Sequence, residues 1–237
     1  MSSPRILLLA RADGSPVTTP MHRAALSAQD PFGDARLCAW QGDDGVCAGQ
    51  VRFSGDTTSD AFPHSETLVI HAGRVVLHSG QQRLELQVGD SVVIGRGTRL
   101  SVQADVGSEW AFCSVDVGEA AGQPGLTWLD PRTPLTPSAA PDAQILIGPA
   151  PQCRALNLVD EAASQLRVGV WDSTPYARQA RPHPLHEWMT LLEGSVTLRD
   201  AAGEAVTLNR GDTVFVPKGA ACAWDSAVYV RKVYAVK

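Results

Sequence analysis

Hydrophobic and polar positions alternate over short stretches along most of this chain. Between residues 46 and 116 the strand-like runs are 67–70, 74–77, 84–88 and 91–94. Between 166 and 237 they are 188–192, 195–198, 205–208, 213–216 and 228–236. Gly, Asp and Ser separate the runs. Runs of four to eight residues, broken by turn signals every 8 to 12, predict an all-β sandwich or barrel. The turns have a mechanism. Asp200-Ala-Ala-Gly203 and Ser79-Gly80 put glycine where a hairpin needs a positive φ.

The pattern occurs twice, about 121 residues apart. Glu66-Thr-Leu-Val-Ile-His-Ala-Gly73 is followed by a Gly-Asp turn at Gly89 and a glycine at Gly97. Glu187-Trp-Met-Thr-Leu-Leu-Glu-Gly194 is followed by the same turn at Gly211 and by Pro217-Lys-Gly219. A fixed-period repeat decides architecture before any element does. It predicts a leader at 1–45, a first barrel at 46–116, a linker and second leader at 117–165, and a second barrel at 166–237. Seven of the 16 prolines lie between 117 and 151, which predicts an extended linker over the surface. Pro20–Leu26 is expected to form a short helical turn. The apolar run at 6–10 is expected to be a short strand or packing arm.

Composition narrows the function classes. The 237 residues suffice for two domains of about 100 to 120 each. A net charge of -5, with 20 scattered Lys and Arg, argues against a nucleic-acid partner. No apolar run approaches the roughly 18 residues of a membrane span, and the one at 6–10 is shorter than a signal-peptide core. Five cysteines without a CxxC pair predict buried thiols in a reducing cytoplasm. There is no GxSxG, no GxxxxGK[ST] and no GxGxxG leading into a helix.

Glu187-(X)6-Gly194 and Gly211-(X)5-Pro217-X-Gly219 resemble the cupin motifs G(X)5HXH(X)3-4E(X)6G and G(X)5PXG(X)2H(X)3N. The ending Cys222-Ala-Trp224, then Arg231-Lys-Val-Tyr234, resembles the ureidoglycine-aminohydrolase-like and ethanolamine-utilisation-type cupins. The resemblance implies two tandem jelly-roll barrels. It also implies a bicupin that binds a small polar molecule in its second barrel. Such a protein is a metal-dependent enzyme acting on a small nitrogenous or carboxylated metabolite, or a noncatalytic binding or accessory protein without metal. A monomer with paired barrels and a homodimer both fit.

The positions that hold metal in cupins carry Arg181, His183, Glu187 and Cys222 here. Strand parity puts Arg181, His183 and Glu187 on one face with Met189 and Leu191, and points His186 the other way. Pro182 and Pro184 interrupt the strand, so His186 stays as a fallback ligand. In one reading His183, Glu187 and Cys222 hold Zn, Mn, Fe or Ni and leave a position open. In the other, Arg181 pairs with Glu187 and fills the metal position with a fixed charge. Glu187 and Arg181 are the catalytic candidates; Met189, Leu191 and Trp224 are the ligand-binding candidates. Trp224 either stacks on a planar ligand or fills the barrel end. One of Arg231 and Lys232 must face inward, where it would favour a carboxylate or phosphate.

The first copy departs further from the motif. Phe62, Gly95 and Leu100 replace the equivalents of His183, Pro217 and Cys222. Glu66 remains, and His64 shares its face. The expectation is a polar His–Glu pair in a structural barrel, with His71 and His78 structural as well.

Overall fold

The computed structural model describes residues 4–116 and 122–237. Residues 117–121 of the expected linker lie outside it. The chain is almost entirely antiparallel β. Among the described residues the only helical segments are the 3-10 turns Gly33–Ala35 and Ala143–Ile145. Among the described residues no helix is long and apolar enough to cross a membrane.

The chain divides into two compact units. One holds Thr18–Asp130 with Val159–Arg167. The other holds Met1–Val17, Pro131–Leu158 and Val168–Lys237. Each unit is a jelly-roll barrel, built from a long and a short sheet.

In the first barrel the long sheet runs Gly125–Trp128, Ser91–Gly95, Ser65–Ala72, Glu109–Val115, Val46–Arg52, Arg36–Gln41, His22–Arg23. The short sheet runs Gly55–Ser59, Leu100–Ala104, Val75–Ser79, Gln82–Leu86. Phe32, Phe62, Leu68, Ile70, Trp110 and Phe112 fill the space between them. Phe32 sits edge-on to Trp110 at 5.1 Å and to Phe62 at 6.2 Å, a geometry that aromatic quadrupoles favour.

In the second barrel the long sheet follows the same order. Leu7–Ala10 pairs with Thr213–Val216, and Glu187–Glu193, Val230–Val236, Leu166–Ser173, Cys153–Glu161 and Thr136–Ser138 follow. The short sheet is Leu146–Ile147, Tyr176–Pro182, Ala221–Ser226, Ser195–Arg199, Ala205–Asn209. Met189, Leu191, Leu198, Val214, Cys222 and Trp224 form its core.

The repeat is reproduced bond for bond. Gly89 N donates to Ile70 O at 2.9 Å, and Gly211 N donates to Leu191 O at 2.7 Å. Gly97 N donates to Phe62 O, and Gly219 N donates to His183 O, both at 2.8 Å. Phe62 is therefore the counterpart of His183, as the alignment predicts. The four turn glycines have φ between 82 and 92°, a region that L side chains rarely enter.

Three segments differ from the sequence reading. Pro20–Leu26 forms no helical turn; its polar residues His22 and Arg23 pair with Cys38 and Leu37 as a short edge strand. Arg36–Gln41, inside the expected leader, is a full strand of the first barrel. The proline-rich connection supplies edge strands at Gly125–Trp128 and Thr136–Ser138. Pro137 is tolerated there because an edge strand leaves one row of backbone N–H groups unused. The run at 6–10 is the strand Leu7–Ala10, anchored beyond its end by Arg11 Nη1 on Asp212 Oδ2 at 2.7 Å.

Two glycine substitutions separate backbone strain from collision. Gly194 has φ 80°, and a Cβ there would stand 1.9 Å from Tyr229 O. Gly203 has φ 81° with open space around it. Gly194→Ala is expected to cost about 3 kcal/mol or more and Gly203→Ala about 1 kcal/mol, measured by urea unfolding. Equal costs would remove the role given to the Tyr229 contact.

Candidate functional site

The Glu187–Glu193 strand places Glu187, Met189 and Leu191 on its barrel face, and the last two are core residues. The neighbouring Val230–Val236 strand places Val230, Lys232 and Tyr234 on the same face. Lys232 is thus the inward member of the Arg231–Lys232 pair. Its Nζ lies 2.7 Å from Glu187 Oε1 and 3.4 Å from Met189 Sδ. It also lies 4.8 Å from the centre of the Trp171 ring and 5.0 Å from that of Trp224. Such distances bring a cation within the attractive field of both ring faces. Lys232 is 6% exposed, so these contacts replace most of its hydration.

His183 completes the group. Its Nε2 lies 3.1 Å from Glu187 Oε2, and its Nδ1 donates to Leu185 O at 2.7 Å. Both ring nitrogens face oxygen acceptors, so both contacts are hydrogen bonds only when the ring carries both protons. Burial works against charge on Glu187, but the Lys232 ammonium and the His183 hydrogen bond outweigh it. They hold the Glu187 carboxyl well below the usual carboxylate range. Glu187 is an anion held between the Lys232 ammonium and the His183 ring.

The other predicted residues fall as follows. Cys222 and Trp224 face the barrel interior, as parity requires. Trp224 stacks on Tyr176 at 5.6 Å, meets Trp171 edge-on at 5.8 Å and donates Nε1–H to Ser226 Oγ at 3.1 Å. It lines the site as part of a packed aromatic wall. Burial pushes the Cys222 thiol up to about 11. His186 lies on the opposite face, as parity predicts; its Nδ1 accepts from Lys218 N at 3.1 Å and its ring stacks on Phe215.

Arg181 is exposed and forms no ion pair with Glu187. Arg181 pairs in register with Cys222, but it lies in the last four residues of the Tyr176–Pro182 strand, which are all exposed, so its guanidinium stays in solvent. Arg178 is the buried arginine of that strand and donates Nη1–H to Cys222 O at 2.7 Å. The ion pair expected of Arg181 is made by Lys232.

These residues do not fit a divalent metal. A dication bound to Glu187 and His183 would stand beside the Lys232 ammonium, against strong repulsion. Cys222 is a neutral thiol at ordinary pH, whereas the metal-ligating form is the thiolate. Among the described residues no three His, Cys, Asp or Glu side chains gather in an arrangement that could hold a metal ion.

The first barrel meets the same electrostatic problem with a different side chain. Arg36 is fully buried; its Nη1 lies 2.9 Å from Glu66 Oε2, and Nε and Nη2 donate to the two oxygens of Asp30 at 2.8 and 3.1 Å. His64 Nε2 lies 3.0 Å from Glu66 Oε2. The guanidinium stacks 4.3 Å from the Phe112 ring centre. The expected His64–Glu66 pair exists, inside a network that Arg36 dominates.

The comparisons agree with this architecture. A domain model described as EutQ-like cupin matches residues 161–234. A crystal structure of a protein of unknown function from Pseudomonas syringae pv. tomato, assigned to family DUF861, is 48% identical. It matches with a TM-score of 0.96 over 99% of this chain and 100% of its own. The chain belongs to the DUF861 family, within the cupin superfamily. The DUF861 protein Ylba of E. coli matches with a TM-score of 0.57 at 11% identity, over 100% of this chain and 93% of its own. A cupin 2 conserved barrel domain protein from Leptotrichia buccalis matches at 0.58 and 10%, over 84% and 86%. At such identities these two share the fold. No curated protein matches this DUF861 chain.

The Glu187 charge has a pH signature. Its folded pKa lies below the unfolded value of about 4.3, so the stabilisation is complete above about pH 5 and lost as pH falls further. Glu187→Gln strands the Lys232 ammonium and is expected to cost about 3 kcal/mol at pH 7. The gap from wild type should shrink towards pH 3. Urea unfolding across this range checks it, and a pH-independent gap would refute the pairing.

Proposed function

We propose that this DUF861 protein is a metal-free bicupin of the cytoplasm whose second barrel binds a small carboxylated metabolite. The observation that carries the reading is Lys232 Nζ at 2.7 Å from Glu187, where a metal-binding cupin would place its ion. An ammonium backed by two indole rings is an anchor for a carboxylate, and Glu187 is its partner until the ligand arrives. His183 adds a ring nitrogen to the same region. Trp171 and Trp224 offer ring edges and faces to the ligand's carbon skeleton. The five free thiols suit a reducing compartment. The resemblance to ureidoglycine-aminohydrolase-like cupins favours a ligand that also carries nitrogen. Glu187 and His183 are then the groups available for moving a proton on it.

Two measurements test this. Elemental analysis of protein purified without chelator is expected to show well under one divalent ion per chain, about a tenth or less. A thermal-shift screen of small mono- and dicarboxylic, ureido and amino acids is expected to find carboxylates that raise Tm. Their primary amides should have no effect, and Lys232→Met should abolish the shift. Stoichiometric metal, or a carboxylate response unchanged in Lys232→Met, would overturn the proposal.

A further inference from the structure

The first barrel holds two cysteines that the reading of the second barrel does not use. Cys38 and Cys47 lie on the adjacent antiparallel strands Arg36–Gln41 and Val46–Arg52. The register pairs Cys38 with Gly49 and Cys47 with Gln41, so the two cysteines are not directly opposed. A bulge between Cys38 and Trp40 lies between these two pairings, and across it the two sulfurs lie 3.2 Å apart, with Cys47 donating its S–H to Cys38. Both belong to the apolar core of this barrel, Cys38 at 0% and Cys47 at 3% exposure. Closing this contact to a bond of about 2.05 Å needs a sulfur movement of about 1 Å.

The pair is reachable from one side. A cavity of about 130 Å³ is lined by Cys47 and His64, together with Gln41, Val46, Pro63 and Asp116. That volume admits a molecule the size of hydrogen peroxide, since one water occupies about 30 Å³ of liquid. The cavity therefore brings a small oxidant to Cys47 and leaves Cys38 behind it. The electrostatics favour an anion on this pair. Cys47's hydrogen bond and the buried Arg36 draw the Cys38 thiol below its usual range against the cost of burial, while Cys47, the donor, is raised.

We propose that Cys38 and Cys47 form a peroxide-reactive dithiol, with Cys47 meeting the oxidant and Cys38 resolving it into a disulfide. In the singly deprotonated pair Cys47 holds the remaining proton towards Cys38, and transfer of that proton across the 3.2 Å contact precedes attack. With that proton on Cys38, the Cys47 thiolate attacks one peroxide oxygen. The O–O bond breaks, the departing hydroxide takes up a proton to leave as water, and Cys47 becomes a sulfenic acid. Cys38 sulfur then attacks Cys47 sulfur, the S–O bond breaks, and a second water leaves with the Cys38 proton. Two thiols lose two electrons and two protons, and one peroxide becomes two waters.

Both cysteines fall in a single tryptic peptide, 37–52, because Arg36 and Arg52 flank it. Folded full-length protein is treated with hydrogen peroxide, quenched with N-ethylmaleimide under denaturing conditions and mapped by mass spectrometry. The 37–52 peptide is expected to escape alkylation and to lose about 2 Da, reversibly with dithiothreitol. This should occur about tenfold faster than any loss of Cys113, Cys153 or Cys222 thiols. In Cys38→Ala, which adds no polar group to the core, Cys47 should stop at a sulfenic acid that dimedone traps. In Cys47→Ala, Cys38 should stay reduced. The wild-type map needs no variant to fold, and it overturns the proposal if 37–52 is oxidised no faster than the other thiols. Cys47 reaching the sulfinic acid while Cys38 remains a thiol would overturn it as well.

Discussion

Taking a carboxylate out of water costs several kcal/mol unless an opposite charge and hydrogen bonds meet it inside. Each barrel of this protein buries one glutamate at the same point of its repeat, and each answers it with a cation from its own chain. Glu187 meets Lys232 and His183; Glu66 meets Arg36 and His64. The rest of each interior is arranged around that solution. Trp171 and Trp224 face the ammonium in one barrel, and Phe112 and Phe32 face the guanidinium in the other. These rings are both core and counter-charge, because an aromatic face is apolar to its neighbours and attractive to a cation.

The two solutions differ in what they leave available. Arg36 is locked by bidentate bonds to Asp30 as well as by Glu66, and its side chain is wholly buried. Such a fork is a structural fixture. Lys232 is a point charge on a flexible stem with a single carboxylate partner, and the Glu187 and His183 side chains keep some contact with solvent. An ammonium exchanges one carboxylate for another at little geometric cost. That contrast is why the binding reading rests on the second barrel. The dithiol proposed for the first barrel shares its core with Arg36.

Shared β-architecture among DUF861 and other cupin-fold proteins does not fix chemistry, since function resides in the side chains grafted onto the barrel. In this chain the decisive graft is one residue on the Val230–Val236 strand. A histidine set would present lone pairs to a metal; Lys232 presents protons to an anion. The proposed anion site of the second barrel rests on that residue.

Periodicity and punctuation in the sequence determined much of this protein. Short alternating runs, turn glycines and the repeat from Glu66 to Glu187 specified two all-β barrels, because period-two burial and positive φ are local requirements. Parity also placed Glu187, Met189, Leu191, Cys222 and Trp224 inside and His186 on the other face. Tertiary structure decided the identity of the charge beside Glu187. Along Val230–Val236 the two alternating sets each hold one basic residue among apolar ones, so the pattern was tied between Arg231 and Lys232. At Arg181 the end of the strand is exposed, so the side chain stays in solvent although it pairs in register with the inward-facing Cys222. Arg36 and its partner Asp30 come from a segment without a repeat partner in sequence, and Arg36 reaches Glu66 only once strands distant in the chain are hydrogen-bonded. Local rules fix which way a side chain points, but what it points at depends on which strands become neighbours, and long-range pairing alone supplies that.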